Sequence, residues 1–202
     1  MALSKIDGTN LISPTIPVAS GGTGVTTSGN IGNLVLLNTV TTTDATTTNI
    51  DFDSTYITST YVNYIVYINV KPVTDGTNLR LRFFVGGTIK DGSSDYGVGV
   101  LTEGAASLND NDLDLIPISS SNVGNANGES VFIKLELGNL TSSTFSSGAL
   151  FNNTSLGSTH LHTMRFGSGI ANYQEANDGI RFYWGSGNFA SGSTISLYGV
   201  KS

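Results

Sequence analysis

An all-β fold is what this sequence predicts: an antiparallel, jelly-roll-like β-sandwich over 33–202, preceded by an extended N-terminal arm over 1–32. Three observations carry the prediction. Short runs rich in Val, Ile, Thr, Tyr and Phe recur along the chain, separated by turn-forming segments such as PVTDG, KDGSSD, NANGE and NFASG. Several runs alternate apolar and polar residues with the period of a strand that has one wet face. No stretch holds a helical period over an ordinary helix length; the best candidate, 101–108, is short and carries Gly104 in its middle.

The arm comes first. Its centre reads SPTIPVASGGTG over 13–24. Pro14 and Pro17 bias Ser13 and Ile16 toward extended backbone. Gly21, Gly22 and Gly24 permit a tight turn or the close approach of a neighbouring chain. Leu3, Ile6, Leu11, Ile12, Ile16 and Val18 are scattered without helical spacing and are too sparse to form a core. They are expected to serve as anchors on another subunit, the alternative being a loose tail.

The strands follow from about Leu34. Expected runs are 33–41, 46–52, 61–71, 78–86, 95–101, 131–138, 159–166, 180–185 and 193–200. Leu79, Leu81 and Phe83 form one face, with Arg80 and Arg82 on the other. Ile133, Leu135 and Leu137 oppose Phe132, Lys134 and Glu136, and Ile195, Leu197 and Gly199 form a third such face. The run 61–71 carries apolar bulk on both sides: Tyr61, Asn63, Ile65 and Tyr67 against Val62, Tyr64, Val66 and Ile68. That pattern suits a strand covered by a neighbouring protomer. The segments 104–130 and 138–158 are expected to be long excursions carrying variable surface.

Composition narrows the function. Charged residues make up 12% of the chain, about half the usual share. The formal net charge of −6, from 9 basic and 15 acidic residues, lacks the basic footprint that nucleic-acid backbones require. With no Cys, thiol catalysis, disulfides and cysteine-bound zinc are excluded. The opening MALSKIDG lacks the pattern of a signal peptide, and no apolar run approaches the ~20 residues that span a bilayer. Membrane insertion is therefore not expected.

No catalytic motif stands out, and the expectation is a protein that is not an enzyme and needs no cofactor. Glu103, Glu129, Glu136 and Glu175 are dispersed, no G-x-S-x-G elbow is present, and the glycines of 21–24 lack the Lys-Ser/Thr of a phosphate loop. The acidic run Asn109, Asp110, Asn111, Asp112 and Asp114 lacks the glycine and terminal glutamate of a calcium loop and is expected to be a surface turn. In GIRFYWGSG, Arg181 and Tyr183 share one strand face and Phe182 and Trp184 the other. Arg181, Tyr183 and Trp184 are candidates for surface recognition; for Trp184, the sole tryptophan, a core position is the favoured alternative.

Two parts of the chain are familiar. PVASGGTG at 17–24 resembles a segment of many bacteriophage tail-fibre and related virion proteins. FDSTYITSTYVNYIVYINVKPVTDGTNLRLRF at 52–83, with SGSTISLYGVK at 191–201, resembles a β-sandwich of phage fibre and appendage proteins. The resemblance implies a virion-located structural protein, commonly a homotrimer. Its N-terminal part would be fixed to other virion proteins and its C-terminal domain displayed, in many relatives to bind a host-surface glycan or protein. With no long repeated shaft between arm and domain, the expected form is a short fibre or spike, the alternative being a capsid decoration or tail adaptor with no receptor. His160 and His162 form an H-x-H pair in an expected strand, on one face and about 6.5–7 Å apart. Some fibre tips bind metal through such pairs, yet the expectation here is two surface histidines and no metal.

Overall fold

The structure is a computed structural model and describes residues 33–103 and 107–201. The expected arm, with Leu3, Ile6, Leu11, Ile12, Pro14, Ile16, Pro17, Val18, Gly21, Gly22 and Gly24, lies outside the described residues. In chain order the strands are β1 (Leu34–Thr41), β2 (Asn49–Phe52), β3 (Asn63–Val70), β4 (Leu79–Val85), β5 (Thr88–Ile89), β6 (Tyr96–Thr102) and β7 (Leu108–Leu113). They continue with β8 (Ile116–Pro117), β9 (Val131–Gly138), β10 (Gly148–Leu156), β11 (His162–Ala171), β12 (Gly179–Trp184) and β13 (Thr194–Val200).

Two antiparallel sheets result. One has eight strands in the order β1-β13-β3-β9-β10-β11-β6-β7. The other runs β2-β12-β4-β5, with β8 also pairing to β4. Their facing sides make one core, and the alternation visible in the sequence decides what enters it. Leu79, Leu81 and Phe83 of β4 are fully buried, as are Ile180 and Phe182 of β12. Across from them lie Tyr64, Val66 and Ile68 of β3, Ile133 and Leu135 of β9, and Ile195 and Leu197 of β13. Phe52 meets Phe182 edge-on at 6.3 Å between centroids, and Phe83 meets Tyr96 at 5.7 Å.

All nine expected strands are present, and β5, β7, β8 and β10 are added to them. The segments expected to be excursions are corrected accordingly. The stretch 104–130 contains β7 and β8, and 138–158 contains β10, which sits in the middle of the large sheet. β10 escapes a hydrophobic reading because its inward side runs Ala149, Phe151, Asn153, Ser155. The two polar members find partners inside: Asn153 donates to the Ile118 carbonyl at 2.7 Å, and the Ser155 and Ser120 hydroxyls lie 3.3 Å apart. β7, expected to be an acidic turn, is an edge strand paired only to β6.

Buried tyrosine hydroxyls fasten loops to the core. Tyr96 accepts the Phe83 N–H at 2.8 Å and donates to the Lys90 carbonyl at 3.0 Å. Tyr64 makes both its bonds to the Thr58 backbone, each at 2.7 Å. Burial raises the pKa of Tyr64, Tyr96, Tyr173 and Tyr183 above the ordinary phenol range. Between the unfolded value of about 10 and these raised values, the folded protein holds protons that the unfolded chain has released. The stabilisation is therefore complete below pH of about 10 and is lost as pH climbs through the folded values. In an alkaline titration followed by tyrosinate absorbance, these four should ionise only together with cooperative unfolding. Smooth ionisation of all eight tyrosines in a protein that stays folded would contradict the burial.

Candidate functional site

The outer face of the eight-stranded sheet divides into two halves. In one, the outward positions of adjacent strands are glycines: Gly138 on β9, Gly148 on β10, and Gly97 and Gly99 on β6. Register places Gly138 beside Gly148, Gly148 beside Ile170, and Ile170 beside Gly97. Missing side chains in neighbouring strands lower the surface, and a trough of about 790 Å³ opens across them. Its banks carry Asn63 at the β3 end and Asn109 and Asn111 at the β7 end, with Ile65, Leu150, Ser168 and Ile170 between. A further amide, Asn172, donates to the carbonyls of Ser94 and Asn111 and so ties edge strand β7 to the end of β11.

The other half is apolar. Leu101, Phe132, Met164 and Phe166 are all exposed, and Leu150 at 59% exposure lies on the border. Tyr67 joins them, packed edge-on against Tyr198 at 5.8 Å. This bears on the apolar outer side expected for 61–71: Tyr64, Val66 and Ile68 fill the core, while Ile65 and Tyr67 stand on this open face. One ion pair crosses the border, Lys134 to Glu136 at 2.7 Å, and it raises the lysine pKa. A smaller hollow of about 340 Å³ beside Lys134, Leu150 and Phe166 continues the trough into this half.

The recognition candidates of the sequence belong to the other sheet. Trp184 is 4% exposed and packs on Phe189, so its ring serves the core and is not available to a surface ligand. Arg181 and Tyr183 do point outward from β12. Arg181 grips both oxygens of Asp51, at 2.8 and 2.6 Å, a bond that raises its pKa. Arg82 stands 5.1 Å from the Tyr183 ring and pairs with Asp114, and Arg80 lies 6.0 Å from the same ring. Burial is the main reason the Tyr183 pKa is raised, with the two arginines pulling against it. The arginines are thus engaged by Asp51, Asp114 and the Tyr183 ring, while the buried Tyr183 hydroxyl has no hydrogen-bond partner among the described residues.

The histidine pair does not share a strand face. β11 begins only at His162, and His160 lies in the preceding turn with φ of +58°. His160 Nδ1 sits 3.3 Å from Oε1 of the buried Glu129, near enough for an ion pair but without hydrogen-bond alignment. The other Glu129 oxygen accepts the Ala126 N–H at 2.7 Å. His162 stands on the outer face, 2.6 Å from Thr154 Oγ1 and 4.0 Å from Glu103. Among the described residues no three His, Asp or Glu side chains converge as metal ligands. Arg165, buried between Asn153 and the Ser119 carbonyl, has no carboxylate partner among the described residues, and burial lowers its pKa.

Sequence reasoning missed the trough. The signal that marks it is the spacing of glycines at alternate positions, Gly97 and Gly99, beside Gly138 and Gly148. No family model and no curated protein matches this chain. Among solved structures, the chain is similar to a marine PL-14 alginate lyase from Aplysia kurodai. That likeness covers 80% of this chain and 81% of the lyase, at 11% identity and a TM-score of 0.26. At this level it carries nothing about activity or substrate.

Proposed function

We propose that this chain is a structural subunit of a bacteriophage virion, a short trimeric fibre or spike that displays a jelly-roll sandwich for attachment to the host surface. The observation that carries display is the trough on the wide sheet, an open concave surface with polar groups on its banks. The jelly-roll reading draws on the nesting of strand pairs: β1 with β13, β2 with β12, β3 with β9 and β4 with β8, as in one long hairpin rolled up. Two further hairpins, β6–β7 and β10–β11, extend the large sheet and carry most of the trough. Mounting rests on the PVASGGTG segment at 17–24 and its likeness to virion arms. Asn33, where the arm joins the sandwich, bonds through its carbonyl to Lys201 N–H at 2.8 Å. A purely structural decoration or adaptor is the second reading, favoured by Leu101, Phe132, Met164 and Phe166, which a neighbouring virion subunit would cover.

Two measurements test the proposal. A chain lacking residues 1–24 should fold, by Trp184 emission and circular dichroism, yet be missing from assembled particles. Full incorporation of that chain would refute mounting by the arm. Purified full-length protein should bind host cells and slow phage adsorption; no effect at saturation would leave the decoration reading in its place.

A further inference from the structure

We propose that the glycine-floored trough binds a neutral oligosaccharide lying across the strands, an inference that rests on the reading of this face as displayed. Shape is the first reason. From β3 to β7 the trough crosses six strands, and five inter-strand spacings make it about 24 Å long. That is the footprint of a short extended chain, and the volume of about 790 Å³ suits such a ligand.

The chemistry of the lining is the second reason. Asn63, Asn109 and Asn111 offer amide donors and acceptors, and Ser168 a hydroxyl, yet none of these side-chain groups bonds to another described residue. Leu150 and Ile170 supply aliphatic surface between them. Polyols need that combination, hydrogen-bonding rims around apolar C–H faces. Charge points the same way. Among the described residues lining the trough, Glu136 is the one charged side chain, and the neighbouring Lys134 neutralises it at 2.7 Å, so an anionic polymer meets no free cation among them. A peptide is disfavoured by the backbone. The floor strands β9, β10, β11 and β6 are paired on both sides, so the floor itself offers no open edge to a peptide strand, and the one open edge nearby, that of β7, lies at the end of the trough.

The test uses the full chain and four neutral probes: cellotetraose, maltotetraose, mannotetraose and tetra-N-acetylchitotetraose, with a tetragalacturonate as the charged comparator. Titration calorimetry should show binding of at least one neutral probe and none of the charged one. Gly148→Val fills the floor at a position where an added Cβ meets nothing closer than 4.0 Å, so folding is preserved. This variant should weaken the neutral probe at least about tenfold. Gly99→Val, whose Cβ would stand in ordinary contact with Ser168 at 3.7 Å, should do the same. The inference is overturned if no neutral probe binds at millimolar concentration, or if the charged probe binds better. It is also overturned if Gly148→Val leaves affinity intact, or changes the oligomeric state in sedimentation, which would assign the trough to a second copy. Host-cell binding that survives periodate oxidation of surface carbohydrate sinks this inference and leaves the attachment reading standing. Tetrasaccharide binding without any host-cell binding does the reverse.

Discussion

Phe182→Ala should cost the protein about 3–5 kcal/mol of folding stability, the usual range for deleting a fully enclosed ring. Phe182 occupies the central strand of the smaller sheet, between Ile50 of β2 and Leu81 of β4 in register, with no exposed surface. Its ring meets Phe52 edge-on, and Phe52 in turn meets Tyr56 at 6.0 Å, so the deletion opens a hole bounded by aromatic groups that have little room to collapse. For a domain of this size each kcal/mol shifts the melting temperature by about 2–4 °C, giving a fall of about 6–20 °C. Trp184, buried two residues away on the same face, reports the transition by fluorescence. Chemical denaturation should show a lower midpoint with an unchanged m-value. A loss below about 1 kcal/mol would mean that the two sheets do not close on this ring as described.

The strands that bury such rings were the legible ones. Wherever every second residue is large and apolar, as in Leu79-Leu81-Phe83 or Ile133-Leu135-Leu137, the sequence alone places strand and face correctly. β10 and β7 escape the sequence because polar Asn, Ser and Asp interrupt their apolar positions; in β10 the buried Asn153 finds a partner distant in sequence, the Ile118 carbonyl. The start of β11 was misjudged because the His160 turn looks locally like strand, while its true continuation, GSGIA, looks like loop. Sites followed the same logic. Arg181 and Tyr183 stand out in a chain poor in charge, and they are occupied with Asp51, Arg80 and Arg82. The trough is made by side chains that are absent. Its glycines lie on β6, β9 and β10, and only strand register brings them together.

Glycines facing inward do the complementary work, and the second large effect is expected at one of them. Gly169 of β11 points toward the core, where an added Cβ would lie 2.6, 2.7 and 2.8 Å from three side-chain atoms of Ile116. Ile116 is fully buried on β8, the short strand that pairs with Leu81 of β4, and it fills the space beneath the trough floor. Gly169→Val should therefore destabilise by overpacking, by about 1–3 kcal/mol or more, even though valine suits a strand better than glycine. Ile116→Ala alone should cost about 2–5 kcal/mol by leaving a cavity. Together the two substitutions exchange volume across one contact, so the double variant should be more stable than the sum of the single losses predicts by about 0.5–3 kcal/mol. Urea denaturation of the four proteins in the cycle measures that coupling, and additivity would show that Ile116 does not rest on Gly169. Because Gly169 also borders the trough from beneath, Gly169→Val should distort the floor between Gly99 and Gly148. Restoring the volume with Ile116→Ala should then recover the shape of the trough along with the stability.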